Sequence, residues 1–325
     1  MPARPPAYGS CRLSGRIRPP GRRTTIVCTE PWDTGDYEMN QQLSDTNIAF
    51  VGAGSMAEAI VRGLVTKRLA DPRRITVINR ANRDRLMELS EKYGVEPALE
   101  ADKKDAAVAA ADVIVLAMKP KDAVAALNNL KPHLSPRQLI VSVIAGLSIA
   151  SIQHVLGRLP VVRTMPNTSC SVGLGATGFA SSPEVTAAQE ALAAAMFESV
   201  GIICKVEEPL LDVVTGLSGS GPAYVYLMME QMIRAGVESG LDAENAKALT
   251  VQTVLGAAEM VRSTGEEPGE LRRKVTSPNG TTQAALELLD REGFPSAVRR
   301  AVLRAAERAR ELGAETDPAR KPPSA

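Results

Sequence analysis

Short apolar runs separated by polar stretches recur along the first two thirds of the chain. They lie in "NIAFVGAG", "RITVINR", "ADVIVLAMKP", "RQLIVSVIAGL", "LPVVRTMPN", "GATGFAS" and "GIICKVEE", and most of the intervening segments have helical spacing. Buried strands that alternate with helices are typical of a doubly wound, mostly parallel sheet. The pattern therefore predicts an α/β protein with an N-terminal Rossmann-type domain over residues 45–207.

The last third of the chain shows helical spacing only, which predicts a second, all-helical domain over residues 208–313. The stretch "PLLDVVTGLSGSGPAYVYLMMEQMIRAGVESGL" predicts a helix, a break and a second helix, with Ser220 as its cap and Pro222 in its first turn. Asp242 is expected to cap the following helix and Gly265 to end it. These alanine-rich helices have little bulk for an independent core, which predicts homo-oligomerisation through this half.

Both ends of the chain differ in composition from the rest. Residues 1–44 are rich in arginine and proline and contain no acidic residue before Glu30. We expect a disordered extension or a mis-assigned start, with a targeting leader as the alternative. The sequence leaves open whether this segment is translated. Residues 314–325 are expected to be a disordered tail.

Composition narrows the classes of function. Hydrophobic residues make up 44% of the 325 residues. The chain contains no run of about 18 apolar residues, so no membrane-spanning helix is expected. The net charge of +1 and the aromatic content of 3% argue against nucleic-acid or membrane-surface binding. We therefore expect a cytoplasmic protein that acts on a small-molecule substrate.

The sequence also argues against a metal site and against catalysis by histidine. The four cysteines form no CxxC pair, so we expect reduced thiols and neither a zinc site nor a disulfide framework. His133 and His154 are the only histidines, and each is expected to be structural. The sequence predicts no metal site.

The first predicted strand leads into a glycine-rich turn and then into a helix. In "VGAGSMA", Gly52 permits a tight turn, Gly54 lets a pyrophosphate approach the backbone, and Ala57 lets the helix and strand pack closely. The free N–H groups at the start of the helix favour phosphate. A G-x-G-x-x-[GA] motif between a strand and a helix predicts a dinucleotide site.

The second predicted strand indicates which dinucleotide is bound. NAD-binding proteins place an acidic residue at its end, whereas this strand ends at Asn79 and Arg80. Arginine attracts a 2′-phosphate, so NADPH is favoured, with NADH as the alternative. Arg83 and Arg85 follow, and at least one of them is expected on the solvated face of the next helix.

The carboxyl ends of the predicted strands form one rim for the cofactor, because parallel strands present these ends at the same edge of a sheet. The predicted cofactor-binding residues on this rim are Gly52, Ala53, Gly54, Ser55, Met56, Asn79, Arg80, Ala117, Met118, Lys119, Pro120, Val143, Ile144 and Ala145.

Five blocks together resemble one enzyme family. "FVGAGSMAEAI", "LAMKP", "TMPNT", "GLSGSGPAYVY" and "VTSPNGTTQAAL" have the order and spacing found in pyrroline-5-carboxylate reductases, and the similarity covers about residues 47–313. The resemblance implies reduction of 1-pyrroline-5-carboxylate to L-proline with NAD(P)H, the last step of proline biosynthesis. It also implies a homodimer through the helical domain, and the sequence leaves open whether five dimers form a decamer.

The same resemblance implies the substrate site. It places the substrate carboxylate against Ser277 and the backbone N–H groups of Gly280, Thr281 and Thr282. It places the Thr282 hydroxyl beside the ring nitrogen, where this hydroxyl would orient the imine and relay a proton from water. It also places Glu208 near the substrate pocket. A protonated imine is already a good electrophile, so no strong acid is required.

Several positions depart from the family's motifs. Asn279 stands where glycine is usual, and asparagine tolerates left-handed backbone angles, so we expect the loop to keep its shape. Lys104 and Lys274 stand where the family has asparagines that contact the cofactor. The added positive charge favours the extra phosphate of NADPH, with a solvent-facing position of either lysine as the alternative. Ser169 replaces a proline in "PNTS".

Two other functions stay open on the sequence alone. Beta-hydroxyacid dehydrogenases and ketopantoate reductases combine similar domains but use a catalytic lysine in the helical half. Lys247 and Lys274 are the interior lysines there, and neither lies in a motif of those enzymes. A cofactor-binding regulator without turnover is the second alternative, which the intact "TSPNGTT" and "GLSGSGPAY" disfavour. The "GSG" is expected to serve helix packing rather than phosphate binding, and a helix cap is the alternative role for Thr282.

Overall fold

The computed structural model describes the backbone of Cys28 and Thr29 and the residues 43–316. These described residues divide into a sheet unit, within Ile26–Pro222 and Arg300–Ala325, and a helical unit, Ala223–Arg299. The expectations for most of the N-terminal extension and for the end of the tail lie outside the described residues.

The sheet unit is built on one mixed β-sheet. Its described strands are β1 (Cys28–Thr29), β2 (Ile48–Val51), β3 (Ile75–Ile78), β4 (Glu96–Ala98), β5 (Val113–Leu116), β6 (Leu139–Ser142), β7 (Val161–Met165), β8 (Gly175–Ser181) and β9 (Gly201–Lys205). Their order is β1-β9-β8-β7-β6-β5-β2-β3-β4, and only the pairs β1–β9 and β7–β8 are antiparallel. Six neighbouring strands, in the spatial order β4-β3-β2-β5-β6-β7, form the parallel sheet that the apolar runs predict.

Helices cover both faces of this sheet, so the predicted doubly wound architecture is confirmed. They are α1 (Ser55–Thr66), α2 (Arg83–Tyr93), α3 (Ala101–Ala110), α4 (Pro120–Leu130), α5 (Ile149–Leu156) and α6 (Ala187–Glu198). Alternate strand residues point to opposite faces. Phe50 and Val115 join the core beneath α1, α2 and α6, whereas Ile114 and Leu116 join the core beneath α3, α4 and α5.

The pairing of β1 with β9 corrects one expectation about the cysteines. Cys204 on β9 is disulfide-bonded, so the expectation of reduced thiols throughout is wrong. The antiparallel register places Cys28 opposite Cys204, a neighbourhood that the spacing of cysteines along the chain does not reveal. Cys170 is a free, buried thiol, and its burial raises its pKa.

The segment after β9 is helical, with a π-helical turn and Ser220 between two α-helices where the sequence predicted a break. It consists of α7 (Leu211–Val214), a π-helical turn (Thr215–Gly219) and α8 (Gly221–Glu238). Ser220 has helical angles, φ −88° and ψ −18°, and its N–H donates to Thr215 O at 2.8 Å. Ser220 lies directly before α8, and Pro222 lies in the first turn of α8 as predicted. The helical angles of Ser220 differ from the extended backbone that is usual at an N-cap. A Cβ on Gly219 would lie 3.0 Å from Met165 Cε, in keeping with the packing role expected for the "GSG".

The remaining helices are α9 (Ala243–Thr264), α10 (Pro268–Lys274), α11 (Thr281–Arg291) and α12 (Phe294–Thr316). Asp242 accepts a hydrogen bond from Asn245 N at 2.9 Å, and Gly265 ends α9 with a φ of 65°, so both predicted helix limits are confirmed. Helices α8, α10 and α11 bury no residue. Among the described residues, no helix combines the length and apolar character needed to cross a bilayer.

Candidate active site

The glycine turn between β2 and α1 leaves the start of a helix open. Gly52 has a φ of 114°, and a Cβ there would lie 2.3 Å from Ala117 O, so this position requires glycine. Gly54 is the N-cap of α1 without a side-chain capping bond, and no described heavy atom lies within 4 Å of where its Cβ would be. The first-turn N–H groups of α1 are therefore accessible donors for a diphosphate.

Three backbone hydrogen bonds join the strand ends into one rim. The bonds are Gly52 N to Ile78 O at 2.9 Å, Ala117 N to Val51 O at 2.9 Å and Val143 N to Leu116 O at 3.1 Å. Strand β2 lies at the centre of this rim, because β3 and β5 flank it on opposite sides. In open α/β sheets, the ligand crevice lies at this reversal of strand order.

A pocket of about 160 Å³ lies beside the end of β3. It is lined by Asn79, Arg80, Ala81, Asn82, Arg83, Leu86, Leu99 and Lys104. Three of the lining residues are cationic and none is acidic. Arg83 is paired with Glu100 at 2.8 Å, whereas the exposed Arg80 makes only a longer contact of 3.4 Å with Asp122. The pocket therefore brings the predicted Asn79 and Arg80 together with Lys104 in surroundings suited to a phosphate.

Arg85 does not line this pocket and instead supports the glycine turn. Its Nε donates to Ala53 O at 3.0 Å, and its guanidinium donates to the Glu58 carboxylate on α1. Hydrogen bonds from Lys92 and from Arg85 lower the pKa of Glu58 to about 2. Arg83 is exposed and Arg85 is not, so one of the two arginines lies on the solvated face of the helix, as expected. Nothing in the local sequence pattern revealed the supporting role of Arg85.

The turns after β5 and β6 carry the other predicted cofactor contacts. Within Ala117–Pro120, the first two residues are half-buried and the last two are exposed at the start of α4. Within Val143–Ala145, Ile144 is buried and offers a ligand only its backbone, whereas Ala145 is exposed. Both turns follow parallel strands and belong to the same rim.

Glu208 begins the short 3-10 helix after β9, and its carboxylate is engaged within the sheet unit. Its Oε1 accepts from Ile149 N at 2.8 Å and from a guanidinium nitrogen of Arg163 at 3.1 Å. Arg163 is buried, with 4% of its side chain exposed, and lies 3.8 Å from Asp212. The predicted contact of Glu208 with substrate stays a prediction.

The predicted carboxylate loop joins α10 to α11 in the helical unit. Asn279 has a φ of 57°, the left-handed conformation that asparagine was expected to tolerate in place of glycine. The N–H of Asn279 donates to Gln283 Oε1 at 2.8 Å, and the N–H of Gly280 donates to Ser277 O at 3.1 Å. A Cβ on Gly280 would lie 2.5 Å from Ser277 Oγ, so a side chain at this position would displace the Ser277 hydroxyl.

The first turn of α11 presents the donors that an anion needs. Gly280 is the N-cap of this helix and provides no side-chain capping bond. The N–H groups of Thr281 and Thr282 belong to the unpaired first turn, whereas the N–H of Gly280 already has an internal acceptor. Thr282 is half-buried, and its hydroxyl makes no hydrogen bond with the described residues. A capping role for Thr282 is therefore wrong, because Gly280 occupies the cap.

Lys247 and Lys274 are the candidates for the catalytic lysine that the alternative dehydrogenase functions require. Lys274 at the end of α10 forms an ion pair with Glu266, and Lys247 is exposed on α9. No group of three or more potential metal-ligating side chains occurs in the described part of the chain.

Asn167 is a buried residue whose role the sequence did not reveal. Its Nδ2 donates to Ser218 O at 3.0 Å in the π-helical turn, and its Oδ1 accepts from Ala176 N at 3.2 Å. Asn167 therefore ties the loop after β7 to the π-helical turn. The family block "TMPNT" contains it, but no local pattern indicates which groups it bonds.

Comparisons with known proteins agree with this arrangement. The family profile described as pyrroline-5-carboxylate reductase dimerisation matches residues 208–312, and the profile described as NADP oxidoreductase, coenzyme F420-dependent, matches residues 47–146. Pyrroline-5-carboxylate reductase 2 of Bacillus subtilis is 44% identical over 266 residues, which cover 82% of this chain and 94% of that protein.

Two solved structures share both fold and sequence with this chain. A pyrroline-5-carboxylate reductase from Coxiella burnetii superposes with a TM-score of 0.77 at 39% identity, covering 82% of this chain and 98% of that one. The Plasmodium falciparum pyrroline carboxylate reductase, solved with NADP bound, gives 0.74 at 31% identity, covering 83% and 99%. The chain belongs to the pyrroline-5-carboxylate reductase family.

Proposed function

We propose that this chain reduces 1-pyrroline-5-carboxylate to L-proline by hydride transfer from NADPH, the last step of proline biosynthesis. The observation that carries the proposal is the left-handed Asn279 in the loop Ser277–Thr282, directly before the uncapped start of α11. This geometry turns N–H donors toward an anion, next to a hydroxyl suited to an imine nitrogen. Family membership and the open glycine turn support the same function.

The chain's own groups fit a dinucleotide. The first-turn N–H groups of α1 would bind the diphosphate, since Gly54 leaves the space beside them clear. The cationic pocket beside the end of β3 would hold the adenosine half of the cofactor. The rim after β5 and β6 lies on the opposite side of β2 and would hold the nicotinamide half. Bound NADPH supplies a hydride to the imine carbon while the ring nitrogen gains a proton.

The substrate is held by its carboxylate and its nitrogen. The N–H groups of Thr281 and Thr282 would bind the carboxylate, together with the Ser277 hydroxyl. Gly280 contributes less through its N–H, which already donates to Ser277 O. The Thr282 hydroxyl would accept from the protonated imine and pass a proton from water to the product amine. Holding the ring in a reactive orientation is the protein's main contribution to the rate.

The cationic pocket at the end of β3 supports NADPH over NADH. Arg80 and Lys104 line it. Arg80 has one exposed contact of 3.4 Å with Asp122, and Lys104 forms no ion pair with the described residues. A 2′-phosphate would form ion-paired hydrogen bonds with these cations, which a neutral ribose diol cannot form. Arg80→Ala should therefore raise the KM for NADPH several-fold and leave the KM for NADH nearly unchanged. Equal effects on both cofactors would contradict this assignment.

The helical region carries the family's dimerisation domain. We propose a homodimer through residues 208–313, with five dimers assembling into a decamer. Large apolar side chains such as Leu227, Leu249, Leu255 and Met260 are half or more exposed in the single chain, which supports burial by a second copy. Native mass spectrometry tests both levels: a monomer would contradict the dimer, and a dimer that resists further assembly would contradict the decamer.

The activity itself is tested by following NADPH oxidation on addition of 1-pyrroline-5-carboxylate to the purified chain. The proposal predicts L-proline as the product and a higher kcat/KM with NADPH than with NADH. Binding of NADPH without turnover would instead support the cofactor-binding regulator. The expected cytoplasmic location stays a prediction.

A further inference from the structure

The loop between β6 and α5, residues 143–148, is held at its start by buried side chains. We refer to it as the β6–α5 loop. Ser142 Oγ accepts from Ile144 N at 3.3 Å, and Thr164 Oγ1 on β7 donates to Ser142 O at 3.0 Å. The loop contains Val143–Ala145, to which the proposed function assigns the nicotinamide half of the cofactor.

The far end of the β6–α5 loop is held by two oxygens. Ser148 is the N-cap of α5, and its Oγ accepts from Ser151 N at 3.0 Å. Glu208 Oε1 accepts from Ile149 N, the first N–H of the same helix, at 2.8 Å. A carboxylate at this position satisfies an otherwise unpaired donor and interacts favourably with the helix dipole. Glu208 thus fixes the residue at which the loop becomes helix.

Glu208 is itself held in place by Arg163. The guanidinium of Arg163 donates to the same Oε1 at 3.1 Å and lies 3.8 Å from Asp212 Oδ1. Only 4% of the Arg163 side chain is exposed, so its charge depends on these carboxylates for compensation. One buried cation on β7 therefore links the 208–212 segment to the start of α5.

We propose that Glu208 is a positioning residue for the nicotinamide end of the cofactor, acting through Ile149 N–H and the β6–α5 loop. This inference rests on the proposed function for the cofactor role of that loop. Arg163 holds the Glu208 carboxylate where it can accept from Ile149. This positioning role uses Oε1, which has two donors within the sheet unit, and requires no direct contact of Glu208 with the substrate.

The test compares four single variants of the full chain: Glu208→Ala, Glu207→Ala, Ile149→Pro and Ile149→Ala. Glu207 is the exposed neighbour and makes no side-chain hydrogen bond with the described residues. Proline at the first position of a helix is tolerated but lacks the N–H, and the extended Ser148, with ψ 158°, suits the residue before proline. Ile149→Ala keeps the N–H and controls for loss of the side chain.

The readouts are the Kd for NADPH, from quenching or enhancement of its fluorescence, and the KM for the pyrroline substrate. Glu208→Ala should raise the NADPH Kd at least about fivefold, because the cofactor must then order a loop that this hydrogen bond no longer fixes in advance. The substrate KM should stay within about twofold, and kcat should fall as the nicotinamide becomes misplaced. Ile149→Pro should weaken NADPH binding more than Ile149→Ala, and Glu207→Ala should resemble the wild type.

The double variant Glu208→Ala/Ile149→Pro tests most directly whether the two residues act through one hydrogen bond. If the two residues act through one hydrogen bond, the double variant should bind NADPH no more weakly than the worse single variant. Fully additive losses would overturn the proposal. A raised substrate KM with an unchanged NADPH Kd would also overturn it and support direct substrate contact.

Failure of this inference is distinguishable from failure of the proposed function. A wild-type chain that binds NADPH but does not turn over the pyrroline would refute the function, while the binding measurements would still decide the role of Glu208. Circular dichroism and thermal unfolding show whether each variant folds. If Glu208→Ala does not fold, comparing Ile149→Pro with Ile149→Ala still tests the proposal, because only the proline variant lacks the N–H that donates to Glu208.

Discussion

At the scale of single residues, Asn279 shows how the substrate loop keeps its shape with an unusual residue. Its φ of 57° lies in the left-handed region, which β-branched residues adopt only at a cost of about 1–2 kcal/mol. Asn279→Gly should therefore leave the substrate KM nearly unchanged. Asn279→Val should raise the substrate KM while leaving the NADPH Kd unaltered, as steady-state kinetics and cofactor titration would show. An unaffected substrate KM in the valine variant would mean that the loop's shape does not matter for binding.

Thr282 is the residue that we expect to touch the reacting nitrogen. Thr282→Ala should lower kcat by about 100-fold, the lower end of what one acid–base group contributes. The NADPH Kd should change by less than about twofold, because no cofactor phosphate is assigned to this loop. Thr282→Ser keeps the hydroxyl and should retain most of the activity. Unchanged turnover in the alanine variant would remove Thr282 from the mechanism.

Some residue roles could be inferred from the sequence, and others required the fold. Gly52 was identified because its motif fixes both backbone and ligand requirements, and the structure shows its φ of 114° and close approach to Ala117. Arg163 carries no such signal, because its partner Glu208 is distant along the chain and the two meet only when β7 and the 208–212 segment pack together. Asn167 is hidden for the same reason.

At the scale of elements, the two glycines of the β2–α1 turn have separable tasks. A Cβ on Gly52 would collide with Ala117 O at 2.3 Å, whereas a Cβ on Gly54 meets no described atom within 4 Å. Gly52→Ala should therefore destabilise the fold itself, measurable as a lower midpoint of urea unfolding. Gly54→Ala should keep that midpoint but weaken NADPH binding. A Gly54→Ala variant that binds NADPH normally would contradict diphosphate binding at this helix start.

The interaction of α1 with α2 makes stability depend on pH through Glu58. Hydrogen bonds from Lys92 and Arg85 hold the folded-state pKa of Glu58 at about 2, below the ordinary carboxylate value of 4.5. Ionised Glu58 thus stabilises the fold above pH 4.5, and this contribution is lost as the pH falls toward 2. Glu58→Gln should be less stable than the wild type at neutral pH, with the difference shrinking across that window.

Urea unfolding at a series of pH values measures this difference. Glu91→Gln is the matched control, since Glu91 is exposed on α2 and makes no ion pair with the described residues. The control should stay within about 0.5 kcal/mol of the wild type throughout. A Glu58→Gln difference that does not vary with pH would contradict the role of the ionised carboxylate.

The elements themselves were predicted where burial leaves a clear pattern. Strand β5, "VIVL", is buried on both faces and is a continuous apolar run, so its existence and its place in a parallel sheet could be predicted. Strand β4 contains only Glu96, Pro97 and Ala98, which lack such a pattern and suit an edge strand. The π-helical turn was predicted as a break, because its glycines and serines disfavour regular helix while tertiary packing maintains the helical path.

At the scale of the whole molecule, the two units differ in how much core they build alone. The sheet unit has large buried clusters on both faces, whereas α8, α10 and α11 bury no residue. The alanine-rich composition indicated this shortage of core in the helical unit. The number of copies that cover it could not be predicted, because exposed apolar area indicates an interface without fixing its symmetry.

We propose that the chain as a whole is an NADPH-dependent reductase of a cyclic imine bearing a carboxylate. The most direct measurement compares NADPH oxidation by the purified chain with 1-pyrroline-5-carboxylate and with 1-pyrroline, which lacks the carboxylate. We expect rapid oxidation and L-proline formation with the first substrate. With the second, kcat/KM should be lower by at least about tenfold, since the donors of the Ser277–Thr282 loop lose their anion. Equal rates with both substrates, or no oxidation with either, would contradict it.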